Sequence, residues 1–489
     1  MINKELLLDP AKLLFKKPFV RGVNDEYIRI YNQDTFDDDA LVAQIPSFTG
    51  RTISQAQYLL ELDPNSHAIM FNTDLPRLSS NPQATWDEAN PYRASFSLQA
   101  EILAQQVEYV NTKGMKFTML NTFPTDEIHN TFIDIKDEWV SRNMDINKAR
   151  LFEEQKTVGD AAMLFYYNAK KQCSSRILSY RGGYQLIPLY DENEDMIAFS
   201  VYYKSNKIEK LDTYDEKYIY KFELTEGENK ESSWNILSRT SHGFDSIPIV
   251  YKRGEVAWER GQVLIDIYEL LYNIYMIVEK KVGFPLLYII GKPTLEKRSD
   301  TAVMLKDASS ADMKSDAKFL NPQEPAGFQN LLTDLFKKIQ ICTSSILLAA
   351  DEIKITADIS GIALKMLRSA SYQKAQKDIR EYDDAADTMI RLFKDGVSKE
   401  LGVYTSWNLC KVRAEYELYE PQSETEFVNR LITQKQSGII SGETATNLSP
   451  DAQPDEKHRI ERELKVKMNQ ELVSTEITEP TKDKNQINI

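Results

Sequence analysis

The chain has 489 residues, 42% of them hydrophobic, with 25 Tyr and 20 Phe, which excludes a disordered protein and a single small domain. Its formal net charge of −14 disfavours a protein that wraps nucleic acid. It leaves room for one past which nucleic acid slides, since a negative wall repels phosphate.

From the N-terminus, MINKELLLDPAKLLFKK is broken at Asp9-Pro10 and has no signal-peptide core. No stretch reaches the ~20 apolar residues of a membrane span, so no membrane is expected and folding in the cytoplasm is. Residues 1–90 give weak signals, and Asp37-Asp38-Asp39 reads as a solvated loop. Leu98, Ile102, Leu103, Val107 and Val110 recur at helical spacing over 95–113. Further helices are expected over FIDIKDEWVSRN and INKARLFEEQKTVGDAAM. Then the period changes to two. Ile197, Phe199, Val201 and Tyr203 alternate, as do Tyr218, Tyr220, Phe222 and Leu224, so 160–252 reads as an antiparallel sheet.

Helices return at 256–281. Val263, Ile267, Leu270, Leu271, Ile274, Ile277 and Val278 cover one broad face, and Tyr268, Tyr272 and Tyr275 cover another. A helix apolar nearly all round is buried between several neighbours. A strand-rich excursion follows, then a helix over about 327–348 with Phe328, Leu331, Leu335, Ile339, Cys342 and Ile346 on one stripe. In ADISGIALKML, Ser360 is placed to cap a long helix and Gly361 to admit a close neighbour. Tyr372, Ala375, Ile379, Tyr382, Ala386, Met389 and Phe393 form an a/d seam downstream. That seam fits packing against other helices over five turns, and a core helix of a single domain accounts for it equally well. Two short helices around a Ser/Gly/Pro turn fit the last fifty residues, and everything after 472 reads as a disordered tail.

Catalytic signals are sparse. Cys173, Cys342 and Cys410 lie far apart with no CxxC pair, so buried free thiols are expected rather than disulfides or zinc ligands. The four histidines show no HExxH or HxH spacing, and GxxxxGK[ST], GxGxxG and GxSxG are absent. The sharpest enzymatic candidate is Asp351-Glu352-Ile353-Lys354, since a Glu-x-Lys strand presents carboxylates to Mg²⁺ and a lysine to phosphate in metal-dependent nucleases. Here it lies between two helices, so no catalytic residue, metal or cofactor is expected.

Five stretches, in order, resemble the phage portal protein family of tailed phages that infect Gram-positive bacteria. They are TVGDAAMLFYY, IPLYDENEDMIAFSVYY, SHGFDSIPIVYKRGE, GQVLIDIYELLYNIYMIVEKK and ADISGIALKML, within a span of about 95–470. The resemblance implies an α+β, mostly helical portal fold, with long stem and wing helices, an antiparallel β-rich wing section and a small α/β clip. It places the wing at 1–255, β-rich from about 160, with the long wing helix and following segment at 361–425. It places a stem helix at 256–281, the clip at 282–326, a second stem helix at 327–347, a tunnel loop at 348–360 and the crown at 426–471.

The implied function is a homo-oligomeric ring of about twelve copies at one capsid vertex of the virion. Double-stranded DNA would pass through it during packaging and ejection. Terminase, then the head-tail connector protein, would dock on it, beside the major capsid and scaffolding proteins. Asp351, Glu352, Lys354, Ser360 and Gly361 would face DNA from the tunnel loop. Lys337, Lys338 and Lys365 would touch phosphates, and Ile267, Leu271, Ile274 and Val278 would pack the stem. A metal-dependent nuclease and a monomeric protein-binding scaffold stay open as alternatives.

Overall fold

The structure, a computed structural model, describes residues 55–72, 75, 93–191, 193, 195–226, 232–282, 286–290, 294–299, 302–306, 316–320, 326–347, 368–419, 424–442, 445 and 460. The long acidic run at 37–39, the segment 348–367 and the tail after 472 lie outside the described residues. Two compact units are distinguished, residues 1–348 with 369–419, and residues 349–368 with 420–489.

The first unit opens with α1 (Gln55–Leu62), a 3-10 turn (Pro64–Ser66) and α2 (Ala68–Phe71). Helix α3 (Leu98–Asn111), strand β1 (Lys116–Met119), α4 (Asp126–Ser141) and α5 (Met144–Val158) follow. Thr125 caps α4, its hydroxyl accepting the Ile128 N–H, and Asp126 and Glu127 lie in the first turn, where carboxylates favour the helix dipole. The sequence pattern carries α5 on to Met163. It ends at Val158 because Gly159 takes φ +90°, the left-handed cap that glycine adopts without strain, and Asp160 begins a strand.

Strands β2 (Asp160–Tyr167), β3 (Cys173–Leu178), β4 (Tyr184–Tyr190), β5 (Met196–Ser205), β6 (Ile208–Tyr214), β7 (Tyr218–Glu226), β8 (Ser232–Ser241) and β9 (Ile249–Arg253) are all antiparallel. They form two sheets rather than the single one expected, a three-stranded β3-β2-β9 and a five-stranded meander β4-β5-β6-β7-β8. Asp160 to Phe165 of β2 are buried on both faces, so their neighbours include helices as well as strands, whereas β7 buries Tyr220 and Phe222 on either side of the exposed Lys221, as in a half-buried sheet.

Helix α6 (Gln262–Val282) starts six residues later than the pattern suggests, after a turn at 256–261. Strands β10 (Leu286–Ile290), β11 (Thr294–Ser299), β12 (Ala302–Lys306) and β13 (Asp316–Leu320) pair as β10-β13 and β11-β12. Helix α7 (Ala326–Thr343) ends before 347, because Ser344 turns into the left-handed region at φ +52°. Helix α8 (Ser369–Leu401), α9 (Tyr404–Leu409) and β14 (Val412–Glu415) complete the unit. Strand β14 pairs with β1, nearly three hundred residues earlier.

The α8 seam lies in the main core. Tyr372, Ala375, Tyr382, Ala386, Met389 and Phe393 are buried, and Ile379 is partly so. Their partners come from the same chain: Tyr109 on α3, Trp139 on α4, Phe152 on α5 and Met163 on β2. Trp139 sits edge-on between Phe117 and Phe393, at centroid distances of 5.3 and 5.1 Å. Burying each such side chain contributes about 1.5–3 kcal/mol. Under this seam Lys156 is fully enclosed, and its Nζ donates to Asp378 Oδ1 at 2.8 Å while Lys374 reaches the same oxygen. Burial lowers the Lys156 pKa to about 8. In the second unit, Glu424–Gln436 forms helix α10.

Candidate functional site on the paired helices

The turn before α6 is pinned by Trp258, fully buried, whose indole N–H donates to a Glu61 carboxylate oxygen at 3.0 Å. Gly261 then lets the end of α7 come close. A Cβ on it would lie 2.6 Å from the Thr343 methyl. Gln106 of α3 ties the same corner, its amide donating to the carbonyls of Ala257 and Thr343 at 3.2 and 3.1 Å.

Helix α6 presents three faces. Gln262, Ile265, Glu269 and Asn273 are buried against residues 61–67 and 93–99. Asn273 brackets the Ala94 backbone, accepting its N–H at 2.8 Å and donating to its carbonyl at 2.7 Å. The Phe96 N–H donates to Glu269 at 2.8 Å. The aromatic face meets Phe96 and α7. Tyr272 stands edge-on to Phe96 at 4.8 Å, Tyr268 lies 6.2 Å from Phe336, and Tyr275 lies 6.2 Å from Phe328. Burial raises the Tyr268 phenol pKa. Leu335 and Ile339 of α7 are buried behind it.

The third face is uncovered. Val263, Ile267 and Leu270 are 56%, 39% and 36% exposed, and Leu271, Ile274 and Val278 are half-buried. Their positions step by three, four and seven, so they form one stripe along the helix. All four residues singled out for stem packing, Ile267, Leu271, Ile274 and Val278, fall on it. The expectation that α6 is enclosed on every side is therefore not met within one chain.

The outward face of α7 differs. It mixes Leu331 and Ile341, 42% and 74% exposed, with Asp334, Lys337 and Lys338. Lys338 Nζ sits 2.7 Å from Asp334 in an exposed i,i+4 pair that contributes little to stability. Cys342 is exposed here, against the expectation of a buried thiol, while Cys173 and Cys410 are buried. Asp351, Glu352, Lys354, Ser360, Gly361 and Lys365 lie outside the described residues.

Sequence reasoning missed the polar anchors Glu269 and Asn273. The available signal was two polar residues, four apart, on the buried side of an otherwise apolar helix. Among the described residues no group of three His, Cys, Asp or Glu side chains is arranged to hold a metal, and no helix is long and apolar enough to cross a membrane.

The profile of the family described as phage portal protein, SPP1 Gp6-like, matches residues 55–470. The chain belongs to the phage portal family. The match starts at α1, upstream of residue 95 where the sequence resemblance begins, so the helices that brace α6 are part of the portal fold. Portal proteins are structural components of the phage capsid rather than enzymes. No curated protein matches the chain.

Proposed function

We propose that this portal protein assembles into a ring of about twelve copies at one capsid vertex, with the α6 stripe of each copy seated against the α7 face of the next. The observation that carries this reading is the aliphatic stripe itself. Val263, Ile267 and Leu270 are exposed and Leu271, Ile274 and Val278 only half-buried, in register along a helix whose other two faces are anchored. An aliphatic face beside a mixed one suits a head-to-tail interface, the kind that closes into a ring. On this reading the ring conducts double-stranded DNA during packaging and ejection. Residues 282–326 receive terminase and then the head-tail connector, 348–360 line the channel, and 426–471 form the crown. Scaffolding and major capsid proteins surround the wing. The net charge of −14 favours sliding over binding, and Lys337, Lys338 and Lys365 supply sparse phosphate contacts.

The test is mass measurement of the purified protein, alone and co-produced with its scaffolding protein. Rings many times the 56.3 kDa chain mass are expected, and Ile267→Asp with Leu270→Asp is expected to leave monomers. Monomers of the unaltered protein under both conditions would overturn the proposal.

A further inference from the structure

The short segment 64–72 lies over the far half of α6 by few contacts. Ile69 and Leu75 form a small cluster with Ile277, flanked by Met70 and Ile274. The Arg93 guanidinium donates to the Met70 and Asn72 carbonyls at 2.8 and 2.7 Å. Ser95 donates its hydroxyl to the Pro64 carbonyl at 2.7 Å. A further fastening is His67, 6% exposed. Its Nδ1 is 2.8 Å from Glu269 Oε1, and its Nε2 is 2.8 Å from the Glu61 backbone carbonyl.

Both partners are acceptors. A neutral imidazole carries one N–H and one lone pair, so it satisfies only one of them and sets a lone pair against the other. The Phe96 N–H also donates to Glu269 Oε1, so this oxygen meets a backbone donor as well as the imidazole. Both contacts are matched at once when both ring nitrogens of His67 carry protons. We propose that His67 is a proton-controlled latch, holding residues 64–72 onto α6 when doubly protonated and releasing them when it loses one proton.

The charged groups around it act in one direction. Glu269 and Asp266 on α6, Glu61 on α1 and Asp63 in the turn are acidic, and Arg93 is engaged with the carbonyls of 70 and 72. Burial disfavours the imidazolium, but the bond to Glu269 and its charge outweigh this and hold the pKa above 6.5. A raised histidine pKa stabilises the closed latch fully below 6.5 and loses that contribution as pH rises through the folded value. Release would uncover Ile274 and Ile277 and lengthen the open stripe. That consequence rests on the ring reading, whereas the latch is a property of one chain.

Two measurements on the full chain test it. Imidazole C2–H exchange, read by mass spectrometry for each of the four histidines, gives the His67 pKa. Amide exchange of 64–72, corrected for intrinsic rates, gives the opening constant. The expected results are a His67 pKa above 6.5 that falls in Glu269→Gln. The opening constant is expected to rise about tenfold per pH unit from 6.5 to the folded pKa, with a pH-independent profile in His67→Gln. A wild-type pKa at or below 6.5, or opening of 64–72 that does not change with pH, would overturn the latch. If Glu269→Gln does not fold, the wild-type titration decides alone. None of these readings depends on whether rings form.

Discussion

Helices α6 and α8 each carry an apolar stripe at heptad-like spacing, and they meet opposite fates. On α8 the stripe from Tyr372 to Phe393 is covered by α3, α4, α5 and β2 of its own chain, with Ala386 and Met389 completely enclosed. On α6 the stripe is exposed from Val263 to Leu270 and half-buried on to Val278, although the rest of that helix is anchored by Glu269, Asn273 and four aromatic rings. Composition hints at the difference. The α8 stripe mixes aromatics with Ala375 and Ala386, large beside small, as interdigitating neighbours need. The α6 stripe is uniformly aliphatic. Spacing determines that a face is to be covered, and the residues behind it determine whether the cover comes from within.

Cutting the α8 stripe is expected to have the largest effect on the single chain. Phe393→Ala removes a ring that packs on Trp139 and Trp407, and unfolding by denaturant is expected to show a loss of about 3–5 kcal/mol. Asp378→Ala leaves Lys156 enclosed without its counter-charge, with a loss of roughly 3 kcal/mol in the same assay. If it were nearly neutral, the core would be tolerating an uncompensated charge and the contrast with α6 would weaken.

Asp160 adds a pH dependence. Burial raises its pKa from 3.8 to about 6, even though Gln55 and Tyr251 donate to it. A raised carboxyl pKa means the folded state binds the proton more tightly, so the contribution of Asp160 to stability is full below 3.8 and is lost as pH rises to 6. The fall is at most about 3 kcal/mol. Asp160→Asn is expected to flatten the thermal-stability profile between pH 4 and 7, and an unchanged profile would show that Asp160 is not the group titrating. The smallest effect belongs to the bare stripe. Ile267→Asp is expected to change the stability of the monomer by no more than about 0.5 kcal/mol while abolishing assembly. A large destabilisation of the monomer would mean that its own chain covers Ile267 after all.

Much of this fold was legible in the sequence. The period-two runs at Phe199 and Val201 and at Tyr220 and Phe222 are strands with those residues inward. The α8 seam is buried where the spacing puts it. Boundaries were less legible, because they turn on single backbone conformations. Gly159 at φ +90° ends α5 before Ala161-Ala162-Met163, three residues that suit a helix, and Ser344 at φ +52° ends α7. Division of the strands into two sheets was hidden too, since which strands pair depends on the helices packed against β2. On the candidate site, the stripe residues were found but their uncovered state was not, and Glu269 reveals its role only when His67 and Phe96, some two hundred residues away in the chain, are brought against it.

The pairing of β1 with β14 and the burial of Phe165 beside Phe393 also set a clock. These two phenylalanines are separated by 228 positions. At the usual pace of synthesis, on the order of 5–20 residues per second, the N-terminal half waits about 10–50 s for α8 to leave the ribosome. Through that interval Trp139, Leu151, Phe152 and Met163 have no lid. That part of the core stays open to solvent until α8 arrives. The main core is likewise unfinished before Tyr416 has been made.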